Sequence, residues 1–99
     1  MGSIKTARII VCELSESSID RHSFTLHLRQ IGEAKHLFES TWLVQSDLSC
    51  DDLLSHAEKL LGSFDNLLVL NVDSSMCWHT SDDVSSQILE GLKNKLIKN

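Results

Sequence analysis

The chain contains no proline, and among its 99 residues only three are cysteines. The absence of proline removes one common source of slow folding phases. Cys12, Cys50 and Cys77 are odd in number and widely spaced, which excludes a disulfide framework. No CxxC pair occurs, so neither a structural zinc site nor a thioredoxin-type motif is implied. Reduced thiols in a cytosol are the reading this leaves. Positive charge is also scarce. Nine Lys and Arg stand against 14 Asp and Glu, a net charge of -5 that does not fit a generic binder of polyanions. No apolar run approaches the roughly 20 residues of a membrane span, and no apolar leader opens the chain. Met1-Gly2-Ser3-Ile4-Lys5-Thr6 fits the myristoylation pattern, a short match of low information. GxGxxG, Walker and GxSxG sequences are all missing, which excludes nucleotide binding and serine nucleophile chemistry by those routes.

What remains is ordinary for one soluble domain: 41% hydrophobic and 23% charged residues. Surface scaling gives a folded area of about 5,600 Å² against about 16,000 Å² unfolded, enough burial for one modest core spanning residues 1–99. Ala7–Leu14 is a β-branched apolar run and reads as a buried strand. Ser15-Glu16-Ser17-Ser18 reads as a loop. Asp20–Ile31 carries two patterns. Phe24, Leu26 and Leu28 alternate as in a strand, while Phe24, Leu28 and Ile31 share a helix face. An Asp20 cap and Gly32 at the far end favour the helix.

Ala34–Phe38 and Ser40–Gln45 read as two short strands around a turn at Glu39-Ser40. Ser49 caps the next helix, with Asp51 and Asp52 at its positive end and a stripe of Leu53, Leu54, Ala57, Leu60 and Leu61. Gly62 is placed to end it in a left-handed conformation. Leu67–Val72 reads as another buried strand. Asp73–Thr80 is irregular. Ser81 is the expected cap of a last helix, with Asp82 and Asp83 in its first turn. Its expected inner stripe is Val84, Ile88, Leu92 and Leu96, with Lys93, Lys95 and Lys98 near its negative end. The string β-α-β-β-α-β plus a helix predicts an α+β, ferredoxin-like fold: a four-stranded antiparallel sheet, two helices on one face, and a C-terminal helix.

Ser40-Thr41-Trp42-Leu43-Val44 followed by Ser46-Asp47-Leu48-Ser49 resembles a signature of small bacterial proteins known as SinR-like, distant relatives of the CRISPR-associated Cas-two subunit. The resemblance runs back through Ile31-Gly32, His36 and Glu39, and forward through Asn66–Leu70 to Trp78. It implies the ferredoxin-like fold and a homodimer. In that family the candidate catalytic acid ends the first strand in a Tyr-Asp-Leu-like motif. Here the position reads Cys12-Glu13-Leu14, with Glu for Asp and no aromatic. A misplacement on the order of 1 Å can cost about 100-fold in rate. The basic residues expected after this strand are replaced by Ser15-Glu16-Ser17-Ser18.

Three residues are singled out. Glu13 is either a solvated strand-end acid or, paired with its mate across a dimer axis, a magnesium ligand. Trp42 is either a core residue or an interface anchor, and Trp78 packs the last helix onto its own sheet or a partner's. His22, His27, His36, His56 and His79 have no local ligand partners, and Arg8, Arg21, Arg29, Lys35 and Lys59 are scattered, as solvated surface charges are. The expected function is a small cytoplasmic dimeric interaction or regulatory module, non-catalytic and without cofactor, membrane or nucleic-acid partner. The alternative is a magnesium-dependent endonuclease similar to Cas-two or to VapD-type toxins, with Glu13 holding the metal.

Overall fold

The structure, a computed structural model, describes residues 6–15 and 19–97. Residues 1–5 of the myristoylation pattern, most of the serine-rich loop and Lys98 lie outside the described residues. The elements are β1 (Thr6–Glu13), α1 (Arg21–Arg29), β2 (Glu33–Phe38), β3 (Thr41–Ser46), α2 (Cys50–Glu58), β4 (Asn66–Asn71) and α3 (Asp83–Ile97). The four strands form one sheet in the order β2-β3-β1-β4, with every neighbouring pair antiparallel. The fold is α+β, a four-stranded antiparallel sheet with three helices.

Strand alternation gives the sheet two faces. On the first, Ile10, Cys12, Ala34, Trp42 and Val44 meet Phe24 and Leu28 of α1 and Leu53 and Ala57 of α2 in one buried cluster. On the second, Ala7, Leu37 and Leu43 meet Leu89 and Leu92 of α3. Helical spacing therefore decides the ambiguous segment. Phe24 and Leu28 point to the core four residues apart, while Leu26 between them is exposed. Asp20 caps α1 by accepting from the Ser23 N–H at 2.7 Å, and Ser49 caps α2 by accepting from the Asp52 N–H at 3.1 Å. Arg21 reaches from the first turn of α1 to the β2–β3 turn, donating to the Glu39 carbonyl at 2.8 Å and pairing with its carboxylate at 3.0 Å.

Several expectations are corrected. Among the described residues no glycine has a positive φ, so neither Gly32 nor Gly62 supplies a left-handed cap. Helices α1 and α2 end instead on Gln30 and Lys59 in right-handed conformation. Gly32 has a different reason to be glycine: a Cβ there would lie 2.6 Å from the Gln45 carbonyl oxygen. The cap of α3 is Asp82 and not Ser81. Its carboxylate accepts from the N–H groups of Val84 and Ser85, both at 3.3 Å. Of the expected inner stripe, Ile88, Leu92 and Leu96 pack on the second cluster, joined by Leu89 and the buried Ser85, while Val84 is 65% exposed. The buried Ser85 hydroxyl, 2.7 Å from the Leu37 carbonyl, ties α3 to β2. Strand β4 is not buried on both faces: Leu67 and Val69 pack on the first cluster, while Leu68 and Leu70 are exposed. Arg8 is no solvated surface charge but is buried.

Candidate functional site

Glu13 is the last residue of β1, paired in register with Asn66. It is exposed, and its Oε1 accepts from the Asn66 side-chain amide at 3.1 Å. The local field is acidic. Asp65 and Glu13 both act on neighbouring Cys12, whose thiol is pushed up to about 11, first by burial and then by these two carboxylates. Asp65 itself accepts from the Ser15 N–H at 2.6 Å and the Gly62 N–H at 2.7 Å, closing the corner at the end of β1. Among the described residues no three His, Cys, Asp or Glu come together in a group able to hold a metal. The five histidines are all exposed, with His36 laid flat on Trp42, ring centroids 4.5 Å apart and planes 9° apart.

Trp42 fills the core and has no exposed surface. Its indole N–H donates to the Thr25 hydroxyl at 2.7 Å, and that hydroxyl donates to the Arg21 carbonyl at 2.8 Å. Phe24 meets it edge-on, centroids 4.8 Å apart and planes at 71°. Every polar atom of this aromatic group thus has a partner, which is what a buried indole requires.

Trp78 lies on the second face of the sheet, half-buried against the α3 cluster. Lys93 of α3 reaches over it, Nζ 5.9 Å from the ring centroid, and donates to the Met76 carbonyl at 2.9 Å. These contacts fasten the irregular segment to α3 within the same chain. Beside Trp78 is a groove of about 450 Å³, with Ile9, Phe38, Leu70, Met76 and Leu89 among its lining residues. Next to the groove the sheet carries bare apolar side chains. Leu68 opposes Val11 and Leu70 opposes Ile9 across the β1–β4 ladder, so the four share one face. Leu68 is 52% and Leu70 46% exposed. Sequence reading missed this strip. Its signal was present, since Leu67-Leu68-Val69-Leu70 is apolar at both parities and asks for cover on both faces.

No protein-family model, curated protein or solved structure matches the chain. Among the described residues no helix is long and apolar enough to cross a membrane.

Proposed function

We propose that this chain is a small cytoplasmic interaction module that pairs with a second copy of itself and carries no cofactor. The observation that carries the reading is the strip of Val11, Leu68 and Leu70 beside the Trp78 groove, on the half of the sheet that α3 leaves open. Exposed apolar surface next to a concave site is where partners bind. A second copy is the simplest partner, because a two-fold axis lets one strip cover its own equivalent. The strand order β2-β3-β1-β4 is compatible with the ferredoxin-like arrangement, and the resemblance to SinR-like and Cas-two proteins supports the dimer and the bacterial setting.

Trp78 belongs to this surface through the groove it lines. Trp42, closed inside the core, supports the sheet from behind. The acidic corner around Glu13, its carboxylate engaged by Asn66, favours a non-catalytic module over a magnesium-dependent endonuclease. Sedimentation equilibrium at micromolar concentration is expected to show twice the chain mass. A single species near 11.1 kDa across the range overturns the reading. Cleavage of short RNA and DNA duplexes in magnesium or manganese is expected to be weak or absent. Activity that falls at least about tenfold in Glu13→Gln, worth about 1.4 kcal/mol of barrier, would establish the nuclease instead.

A further inference from the structure

Among the described residues Arg8 is the only charged side chain that is buried, at 8% exposure. It sits near the start of β1, on the face turned toward α1 and α2. Its Nε donates to Cys50 Sγ at 3.2 Å and its Nη2 to the Leu48 carbonyl at 3.3 Å, while Nη1 is buried without a partner. No carboxylate forms an ion pair with it among the described residues. A buried cation without a counter-charge is costly, and folds that keep one usually set an anion beside it. The atom set beside this guanidinium is a sulfur. Cys50 is half-buried and opens α2, where the helix N-terminus adds its own positive end. On the other side Sγ lies 3.1 Å from Asn71 Oδ1. A half-turn of that exposed amide presents its NH2 to the sulfur in place of its oxygen. Sulfur bearing negative charge would then be met by two donors, one of them cationic.

We propose that Cys50 is an oxidation site for small hydroperoxides, with Arg8 as the residue that positions and polarises its sulfur. The sulfur attacks one peroxide oxygen, forming an S–O bond as the O–O bond breaks. Sulfur is oxidised by two electrons, and the leaving oxygen takes up the thiol proton. The balance is Cys50–SH + ROOH → Cys50–SOH + ROH, and hydrogen peroxide gives water. The half-buried sulfur suits a small oxidant. The other two cysteines lack the arrangement. Cys12 is buried among apolar side chains beside two carboxylates, and Cys77, though more exposed than Cys50, has no guanidinium against it. Asp51 and Asp52 in the first turn of α2 are exposed, where solvent and salt screen them.

The test treats the intact chain with limiting hydrogen peroxide in the presence of dimedone, then measures adduct at each cysteine by peptide mass spectrometry. Cys50 is expected to be labelled at least about tenfold faster than Cys77, against the order of their exposure, with Cys12 inert. Arg8→Gln is expected to bring Cys50 down to the Cys77 rate and leave Cys77 unchanged. Because replacing a buried arginine can unfold the chain, Asn71→Asp provides a second probe at an exposed position. Its carboxylate neutralises Arg8 and repels charge on the sulfur, so Cys50 labelling is again expected to fall to the Cys77 rate with the circular dichroism unchanged. Labelling of native Cys50 no faster than Cys77 overturns the proposal. So does either variant if it stays folded and keeps the native Cys50 rate.

Discussion

The two faces of the sheet are built from the same strands and are covered very differently. On the first face, α1 and α2 lie side by side over residues of all four strands, and the core includes fully buried Ile10, Phe24, Trp42, Val44, Leu53 and Ala57. On the second, α3 packs over Leu37 and Leu43, on β2 and β3, and Ala7 of β1, while Leu68 and Leu70 of β4 face outward. The difference is arithmetic. A helix is about 10 Å across and strands are about 4.8 Å apart, so one helix covers about two strands and a pair covers four. The connections β1-α1-β2 and β3-α2-β4 each deliver a helix to the first face. Among the described residues the second face receives only α3 and the irregular segment between β4 and α3. An unevenly covered sheet therefore results from the element order, and the half left open is the half proposed to bind.

Substitutions sharpen the comparison. The largest effect is expected at the centre of the first face. Trp42→Ala should cost about 3–5 kcal/mol in urea unfolding, because it removes a fully buried ring and leaves the Thr25 hydroxyl without its donor. Leu89→Ala under α3 should cost about 2–3 kcal/mol, toward the low end for buried leucine, since the thinner cover can settle into the space. Equal losses at the two sites would contradict the unequal packing. Gly32→Ala should cost about 1–3 kcal/mol by overpacking, because its Cβ would press on the Gln45 carbonyl oxygen and on Ser46 Cβ at 2.9 Å. No loss there would mean that β3 yields easily and that the first face is less rigid than described.

The smallest effect concerns pH and α3. The Ser85 hydroxyl first, then the N–H groups of Ser85 and Val84, hold Asp82 below its ordinary value of 3.8. A carboxylate depressed in the folded state stabilises above its unfolded value, and that contribution is lost as pH falls through the folded one. Amide exchange in α3 should therefore accelerate below about pH 4. Asp82→Asn should flatten that acid dependence. An unchanged profile in the variant would show that Asp82 does not hold the start of α3.

Much of the fold was legible because local signals agreed with one another. Asp20 and Ser49 stand where caps should, and Phe24 and Leu28 repeat at helical spacing. The Glu39-Ser40 turn falls between β2 and β3 as expected. The second face was less legible for physical reasons. At Ser81-Asp82 two capping residues stand in succession, and composition does not choose between them; of the stripe that follows, Ile88, Leu92 and Leu96 face inward as expected and Val84 does not. Leu68 and Leu70 resemble core leucines because the residue type does not reveal whether a helix remains to cover them. Arg8 looked like a surface charge for a similar reason. Its cover comes from Leu48 and Cys50, 40 and 42 residues further along the chain.

The central claim, that the open half of the second face binds a second copy, is tested most directly by one charge placed on each face. Leu68→Asp puts a carboxylate on the exposed strip, and Leu26→Asp puts one on the outer side of α1, at a leucine of similar exposure. In sedimentation velocity at micromolar concentration, the native chain and Leu26→Asp are expected to run as dimers and Leu68→Asp as the 11.1 kDa monomer. A Leu68→Asp chain that still runs as a dimer, or a Leu26→Asp chain that dissociates equally, would contradict the account.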